Sequence, residues 1–256
     1  FRDVIFTSSA TEANNLALRG ITRMTRAHTN ATNFTPRIIT SAIEHESILE
    51  TCRDLEKGGV EVVFLPVDKN GAVQLNALRE SLNENTILVS VMSANNEVGS
   101  IQPIGEITDL IRKFKTHSDT INRIGGSKHV LQEKGELRYP LFHVDHSQGF
   151  QYLDLKPKEL GIDLMTISSH KIYGPKGAGA LYVQDKRLKI KDKKLGSDFI
   201  ASIITGGGQE FGFRSGTENI PAIVGFAKAV ELVASSRQQG ARRTVELRDY
   251  FWQEIQ

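Results

Sequence analysis

Asp163-Leu-Met-Thr-Ile-Ser-Ser-His-Lys-Ile-Tyr-Gly-Pro-Lys-Gly177 is an apolar run that empties into two hydroxyls, an imidazole, a lysine and a Gly-Pro turn. Six residues rich in Leu, Met and Ile, closed by turn chemistry, read as a buried strand over 163–168. The polar residues then stand at the carboxyl end of that strand. A lysine at such a mouth, Lys171, is suited to forming a Schiff base with an aldehyde or ketone, because burial would lower its pKa and free the amine. A lone lysine in a turn is ordinarily a surface residue, so the reading depends on the rest of the chain.

Outward from this strand, the same kind of short apolar run recurs at 4–7, 37–40, 60–65, 86–92, 141–145 and 180–183. Segments with helical period lie between several of them, at 11–25, 47–57, 75–81 and 104–115. This alternation predicts an α/β fold: a mainly parallel, seven-stranded sheet with helices on both faces. Residues 219–235, with Pro221 near the start, predict a long helix leading away, and 245–255 is a further amphipathic stretch. The polar stretch 115–139, which holds Gly125-Gly126, is expected to be an inserted surface loop.

The 256 residues, 39% of them hydrophobic, suffice for one large domain. A net charge of +2 argues against a nucleic-acid surface, and the basic run 186–194 (KRLKIKDKK) reads as a solvated loop. Cys52 is the only cysteine, which excludes an internal disulfide and fits a reducing compartment, with the cytoplasm as the expected location. No segment is apolar over enough residues to cross a bilayer. The chain opens at Phe1 directly before a strand and stops inside an amphipathic stretch, so it is expected to be an interior segment of a longer protein.

In open α/β sheets ligands bind beyond the carboxyl ends of the strands. Polar residues gather there in this sequence. Ser8-Ser9-Ala10-Thr11-Glu12 follows the first strand and opens a helix, an arrangement that serves either as an ordinary cap or as an anion site. Asp145 ends the strand 141–145, and a carboxylate there can keep a pyridine nitrogen protonated, as an electron-sink cofactor requires. Gln148 stands three residues on, placed to donate to a phenolate. His143, Asp145 and His146 also raise a metal reading, but strand alternation puts His146 on the opposite face and no third ligand converges, so no metal is expected. His45, in Glu44-His45-Glu46-Ser47, is placed to stack on a flat ring or to cap a helix. Asn95-Asn96-Glu97-Val98-Gly99 follows the strand 86–92, and Gly206-Gly207-Gly208-Gln209-Glu210 precedes Arg214-Ser215-Gly216-Thr217-Glu218.

Taken in order, these motifs resemble the pyridoxal-phosphate-dependent cysteine desulfurases, in the NifS/IscS-like branch of the class V aminotransferases. The resemblance spans nearly the whole chain apart from the stretch around 115–139. It implies the type I fold of pyridoxal-phosphate enzymes, with residues 1–256 forming a large coenzyme-binding domain and 219–256 helices leading toward a smaller C-terminal domain. It further implies that Lys171 bears the covalent link to pyridoxal 5'-phosphate and moves the Cα proton, that Asp145 pairs with the ring nitrogen and that His45 stacks on the ring. Gln148 would meet the phenolic oxygen, Asn96 would lie near ring and substrate, and Ala10, Thr11, Ser168 and His170 would hold the phosphate. Thr217 would reach the phosphate of a second subunit, which implies a homodimer.

The implied activity removes sulfur from L-cysteine, leaves L-alanine, and passes a persulfide to iron–sulfur scaffold or tRNA-thiolation proteins. A selenocysteine lyase or aminotransferase of the same superfamily, or a non-catalytic scaffold of the same fold, is the alternative, because fold and cofactor do not by themselves select the reaction. The family's sulfur-accepting cysteine and its carboxylate-binding arginine are expected beyond Gln256, and its N-terminal arm before Phe1. Cys52 matches no such position and is expected to be structural. Ser9 stands where the family has glycine, and His146 where it has alanine.

Overall fold

The structure is a computed structural model and describes residues 3–28, 34–125, 139–184 and 200–256. The basic run 186–194 therefore lies outside the described residues. Among the described residues seven strands form one sheet: β1 (Val4–Thr7), β2 (Arg37–Ser41), β3 (Glu61–Leu65), β4 (Thr86–Met92), β5 (Leu141–Asp145), β6 (Leu164–Ser168) and β7 (Gly179–Val183). Their spatial order is β1-β7-β6-β5-β4-β2-β3, and only β7 runs against its neighbours. The expected mainly parallel seven-stranded sheet is what forms.

Strands buried on both faces alternate their side chains between two cores. Ile38, Leu88 and Leu141 join one cluster together with Ile5, Leu16, Ile21, Ile48 and Cys52, contributed by β1 and by the helices α1 (Ala10–His28) and α2 (Glu46–Lys57). Ile39, Val89 and Phe142, one residue further along the same strands, join the opposite cluster with Leu78 of α3 (Leu75–Ser81) and with Ile104, Ile107 and Ile111 of α4 (Ile104–Gly125). Each fully buried side chain of this size stabilises the fold by roughly 1.5–3 kcal/mol before entropy is counted. The sheet is thus covered on both sides, and its polar residues concentrate at the carboxyl edge.

Two helices extend past their expected limits. The stretch 115–139 was expected to be a loop, yet α4 runs to Gly125, and residues 126–138 lie outside the described residues. Apolar periodicity reports burial rather than backbone bonding, so a polar helical extension leaves no stripe to detect. At the other end, 220–254 form one uninterrupted helix, α6 (Ile220–Glu254), where two helical segments were expected. Pro221 sits at its start, where a missing N–H costs nothing, and Asn219 caps it by accepting from Ala222 N–H at 3.3 Å. Ala222, Phe226, Ala229 and Val233 form its buried stripe against Ile172, Ala178 and Ala180. Gly240 does not break α6, and a Cβ there would meet nothing, so its cost is the ordinary ~1 kcal/mol of a helical glycine. Among the described residues no helix is long and apolar enough to cross a membrane. A short helix, α5 (Pro157–Leu160), had no apolar periodicity to announce it.

Candidate active site

Sheet register brings the predicted residues to one edge. Met92 of β4 lies beside Asp145 of β5, Asp145 lies beside Thr166 of β6, and Ser168 lies beside Gly179 of β7, which also faces Thr7 of β1. Gly179 has a specific reason to be glycine. A Cβ there would overlap Ser9 and come within 2.7 Å of Ala10 N, so its absence lets the turn before α1 settle onto the strand. This packing sets Ser9 and Ala10 next to the end of β6.

At that corner Ser9 Oγ accepts from Glu12 N–H at 3.2 Å, while Ser8 N–H donates to Glu12 Oε2 at 2.9 Å, a reciprocal cap at the helix start. The N–H groups of Ala10 and Thr11 belong to the first turn of α1, where a helix offers donors without intrahelical acceptors. Ser168 is buried and its Oγ lies 3.1 Å from His170 Nδ1. Hydroxyls, an imidazole and free helix N–H groups make this corner suited to an anion. Glu12, the acid of this helix start, is occupied: Arg214 Nε donates to its Oε1 at 2.8 Å. Burial alone would push the Glu12 carboxyl up, but Arg214 and Ser8 hold it below the ordinary range. The same ion pair ties the loop carrying Thr217 to α1, and Thr217 itself is exposed.

The central acid is Asp145, almost wholly buried. Its Oδ2 accepts from Asn14 Nδ2 at 2.8 Å and its Oδ1 from Ser147 N–H at 2.9 Å. A carboxylate has about four acceptor positions, so roughly two remain for a ligand donor. Asn14 donates its second N–H to Ser47 Oγ at 2.9 Å, and Ser47 Oγ lies 2.9 Å from His45 Nδ1. His45 is exposed at the N-cap of α2 and also accepts from Ser47 N–H at 3.1 Å. Asp145 and His45 are therefore joined through two intermediates that the sequence had not singled out. Asn14 left a signal: it stands in phase with Ala17, Leu18 and Ile21 on the buried side of α1, where an unneeded amide would be costly.

Glu44 was also missed as a contributor. It is buried, with Oε1 accepting from Ser41 Oγ at 2.5 Å and from Met92 N–H at 2.8 Å, while its Oε2 has no partner. Burial pushes its carboxyl up to about 8, against the pull of those two hydrogen bonds and with the help of Asp145's charge. Asn95 ties the next loop down, donating to Ile43 O at 2.9 Å and accepting from Glu97 and Val98 N–H groups, which leaves its neighbour Asn96 exposed at the strand end. Gln148 is half-buried in the turn after Asp145.

Lys171 departs from expectation. It lies on a single 3-10 turn, Ser169–Ile172, directly after β6, and is exposed. The desolvation expected of it is absent from this chain alone, because the turn carries it off the sheet edge into solvent. Its base is nonetheless rigid: Ile172 is buried against α6, and Gly174 N–H donates to Ser169 O at 3.0 Å.

The histidines near Asp145 are structural occupants. His143 has Nδ1 2.8 Å from Ser90 Oγ and Nε2 3.0 Å from Thr166 Oγ1, so both ring nitrogens are engaged inside the sheet and neither is open to a metal. His146 places Nδ1 2.7 Å from Ser93 Oγ and packs edge-on to Phe150. Burial holds both rings down at about 4, so both are neutral near pH 7. Gly149 accommodates His146, since a Cβ there would sit 2.8 Å from its Nδ1. Cys52 lies inside the α1/α2 core, and burial raises its thiol to about 12. A thiol in that state is not a nucleophile near neutral pH.

An open, mainly parallel sheet with a buried carboxylate, a histidine and a lysine at its carboxyl edge is the strand-end arrangement at which α/β proteins bind ligands. The chain belongs to the class-V aminotransferase family, whose model matches residues 1–136 and 128–256. Among curated proteins it is 38% identical over 254 residues to "Cysteine desulfurase IscS" of Dictyoglomus turgidum, covering 99% of this chain and 54% of that protein. It is 42% identical over 248 residues to "Cysteine desulfurase IscS 1" of Archaeoglobus fulgidus, covering 96% of this chain and 54% of that one. Among solved structures a "NIFS-LIKE PROTEIN" superposes with a TM-score of 0.81 at 33% identity, covering 99% of this chain and 59% of the other. One described as "SspA in complex with cysteine" superposes with a TM-score of 0.70 at 34% identity, covering 90% of this chain and 55% of the other. The chain spans about half the length of the curated relatives it matches.

Proposed function

We propose that this chain supplies the coenzyme-binding part of a pyridoxal-phosphate-dependent cysteine desulfurase. The observation that carries the reading is the Asp145 carboxylate, fixed by Asn14 and Ser147 and still holding acceptor capacity, at the same sheet edge as His45 and Lys171. The residues present fit pyridoxal phosphate. Asp145 offers an acceptor for a pyridinium N–H, and Ala10, Thr11, Ser168 and His170 gather donors at a helix N-terminus for a phosphate. His45 is held at the rim to lie against a ring, with Gln148 and Asn96 completing its polar surroundings. When bound, the coenzyme supplies an electron sink for charge developing at the substrate Cα.

The residues' own tasks follow from their chemistry. Lys171 provides the amine that holds the coenzyme's aldehyde and then takes and returns the Cα proton. Its exposure in this single chain implies that the desolvation it needs comes from coenzyme and from a second subunit. Thr217, exposed on the loop fastened by the Arg214–Glu12 pair, is the residue through which that second copy would reach the phosphate, making the working unit a homodimer. Overall, the C–S bond of L-cysteine breaks, its sulfur joins an enzyme thiol as a persulfide, and L-alanine departs. Cys52 is excluded from that role by burial and by its raised thiol pKa, so the accepting thiol is supplied from outside this stretch. Iron–sulfur scaffold or tRNA-thiolation proteins would take the sulfur onward, in the reducing cytoplasm.

Support comes from relatives named as cysteine desulfurases and from a structural relative described as bound to cysteine. The test is an assay of the full-length protein with L-cysteine. Equal amounts of alanine and transferable sulfur are expected. Alanine without transferable sulfur, or a preference for selenocysteine or keto acids, would redirect the assignment to a sister enzyme.

A further inference from the structure

Four atoms form an unbroken chain beneath the site. Asn14 Nδ2 donates to Asp145 Oδ2 at 2.8 Å and to Ser47 Oγ at 2.9 Å, and Ser47 Oγ lies 2.9 Å from His45 Nδ1. Donor arithmetic orients every proton in it. An amide nitrogen carries two N–H groups, and both of Asn14's are spent. Reversing the amide would point its oxygen at the Asp145 carboxylate, acceptor against acceptor. Ser47 Oγ accepts from Asn14 and keeps one proton and one lone pair, and it is the proton that faces His45 Nδ1, because that nitrogen must be an acceptor. The backbone N–H of Ser47, which can only donate, reaches the same nitrogen at 3.1 Å. Two donors converge on Nδ1, leaving no room for a hydrogen there.

We propose that Ser47 is a positioning residue which, with Asn14, holds the His45 ring with its proton on Nε2 and links that ring to the Asp145 carboxylate. The exposed edge of His45 then presents an N–H donor to the site, while the opposite edge is anchored to the helix start. A histidine capping a helix through its backbone alone would keep freedom of ring tilt. The hydroxyl contact removes it, because Ser47 is itself buried and tied to Asn14. The consequence is that the two groups assigned to the coenzyme ring, one beside its nitrogen and one against its face, are set by a single hydrogen-bonded unit. Its importance for chemistry rests on the coenzyme-site reading above, whereas the proton placement rests on the geometry alone.

The experiment is long-range proton–nitrogen NMR on full-length protein labelled with nitrogen-15 histidine, with and without added pyridoxal phosphate, the His45 signals being identified by their loss in His45→Gln. The wild-type ring is expected with its proton on Nε2 and an accepting Nδ1. In Ser47→Ala the Nδ1 signal should shift and a second ring state appear, and coenzyme affinity of the apoprotein should fall about three- to tenfold, the effect of losing one neutral hydrogen bond. Thr51→Val deletes a hydroxyl that bonds Ser47 O at 2.9 Å in the same helix without touching the ring, and should leave the His45 signals unchanged. A wild-type ring protonated on Nδ1, or identical His45 signals in wild type and Ser47→Ala, overturns the proposal. If Ser47→Ala does not fold, the wild-type spectrum decides alone. A protein showing the Nε2–H ring but refusing the coenzyme would refute the desulfurase reading and support the positioning role. Coenzyme uptake with the proton on Nδ1 would do the reverse.

Discussion

Beneath the strand ends, Asp145, Asn14, Ser47 and Glu44 are buried and bonded to one another or to neighbouring backbone, whereas Lys171, His170, Asn96 and Thr217 stand exposed on the loops just beyond. Most polar atoms of the floor are satisfied within this chain, because a buried polar group without a partner is costly; Asn14 Oδ1 and Glu44 Oε2 are the exceptions among these four residues. The rim carries no such obligation. Its side chains are affordable in water, and in the proposed enzyme their partners are a coenzyme, a substrate and a second subunit. His45 joins the two regions, with one ring edge anchored below and the other open above.

The largest test of this contrast acts on the rim. Lys171→Ala should abolish the visible absorbance of bound pyridoxal phosphate and reduce turnover by at least about 10²–10⁴-fold, the range for loss of a proton-transferring group. Because Lys171 is exposed, thermal stability of the coenzyme-free protein should barely move. A variant that keeps the colour would break the division of roles.

A floor substitution should do the opposite. Gly179→Ala drives a methyl into the Ser9–Ala10 backbone, which cannot swing aside as a flexible side chain would. A loss of about 1–3 kcal/mol is expected, read as a lowered melting temperature, together with weaker anion binding at the corner. Unchanged melting would show that the turn before α1 is less tightly seated than the packing implies.

Buried titratable groups predict the shape of stability against pH. His143 and His146 have folded pKa values of about 4, below the ordinary 6.5, so their contribution is complete above about 6.5 and is lost as pH falls toward 4. Glu44 has the opposite sign: raised from 4.5 to about 8, it contributes fully below 4.5 and loses that contribution as pH rises through 8. Between these limits two rising contributions outweigh one falling one until the histidines are neutral, which places maximum stability at roughly pH 6–7. Glu44→Gln keeps a neutral side chain and should flatten the decline above that maximum, measurable by denaturant unfolding across the pH range. An unaltered alkaline limb would remove Glu44 from the floor's charge balance.

The smallest effect is expected at Cys52. Cys52→Ala should cost about 1 kcal/mol through lost packing and leave sulfur transfer in the full-length protein intact. Loss of persulfide formation would make this buried thiol a participant after all.

Much of this was legible in the chain, and the misses have a common cause. Every strand was located to within a residue or so, since short apolar runs bounded by turn residues are local features. Lys171, Asp145 and His45 stood out by position at strand ends. Asn14, Ser47 and Glu44 did not, because their significance lies in contacts separated by as many as 131 residues. The polar continuation of α4 reads as a loop in the sequence because its backbone bonding leaves no apolar stripe. The burial expected of Lys171 also failed, since exposure depends on what lies over a residue and not on what precedes it.

Periodicity, turn chemistry and motif order, all written along the chain, determined an α/β sheet, its helices and the residues of a strand-end site. Only the tertiary structure decided that β7 runs antiparallel between β1 and β6, that Gly179 opens room for the turn before α1, and that one amide and one hydroxyl together join the carboxylate to the histidine. Local patterns set which backbone states are cheap. Burial and hydrogen-bond closure are set by neighbours distant in sequence, and those are chosen only when the sheet assembles.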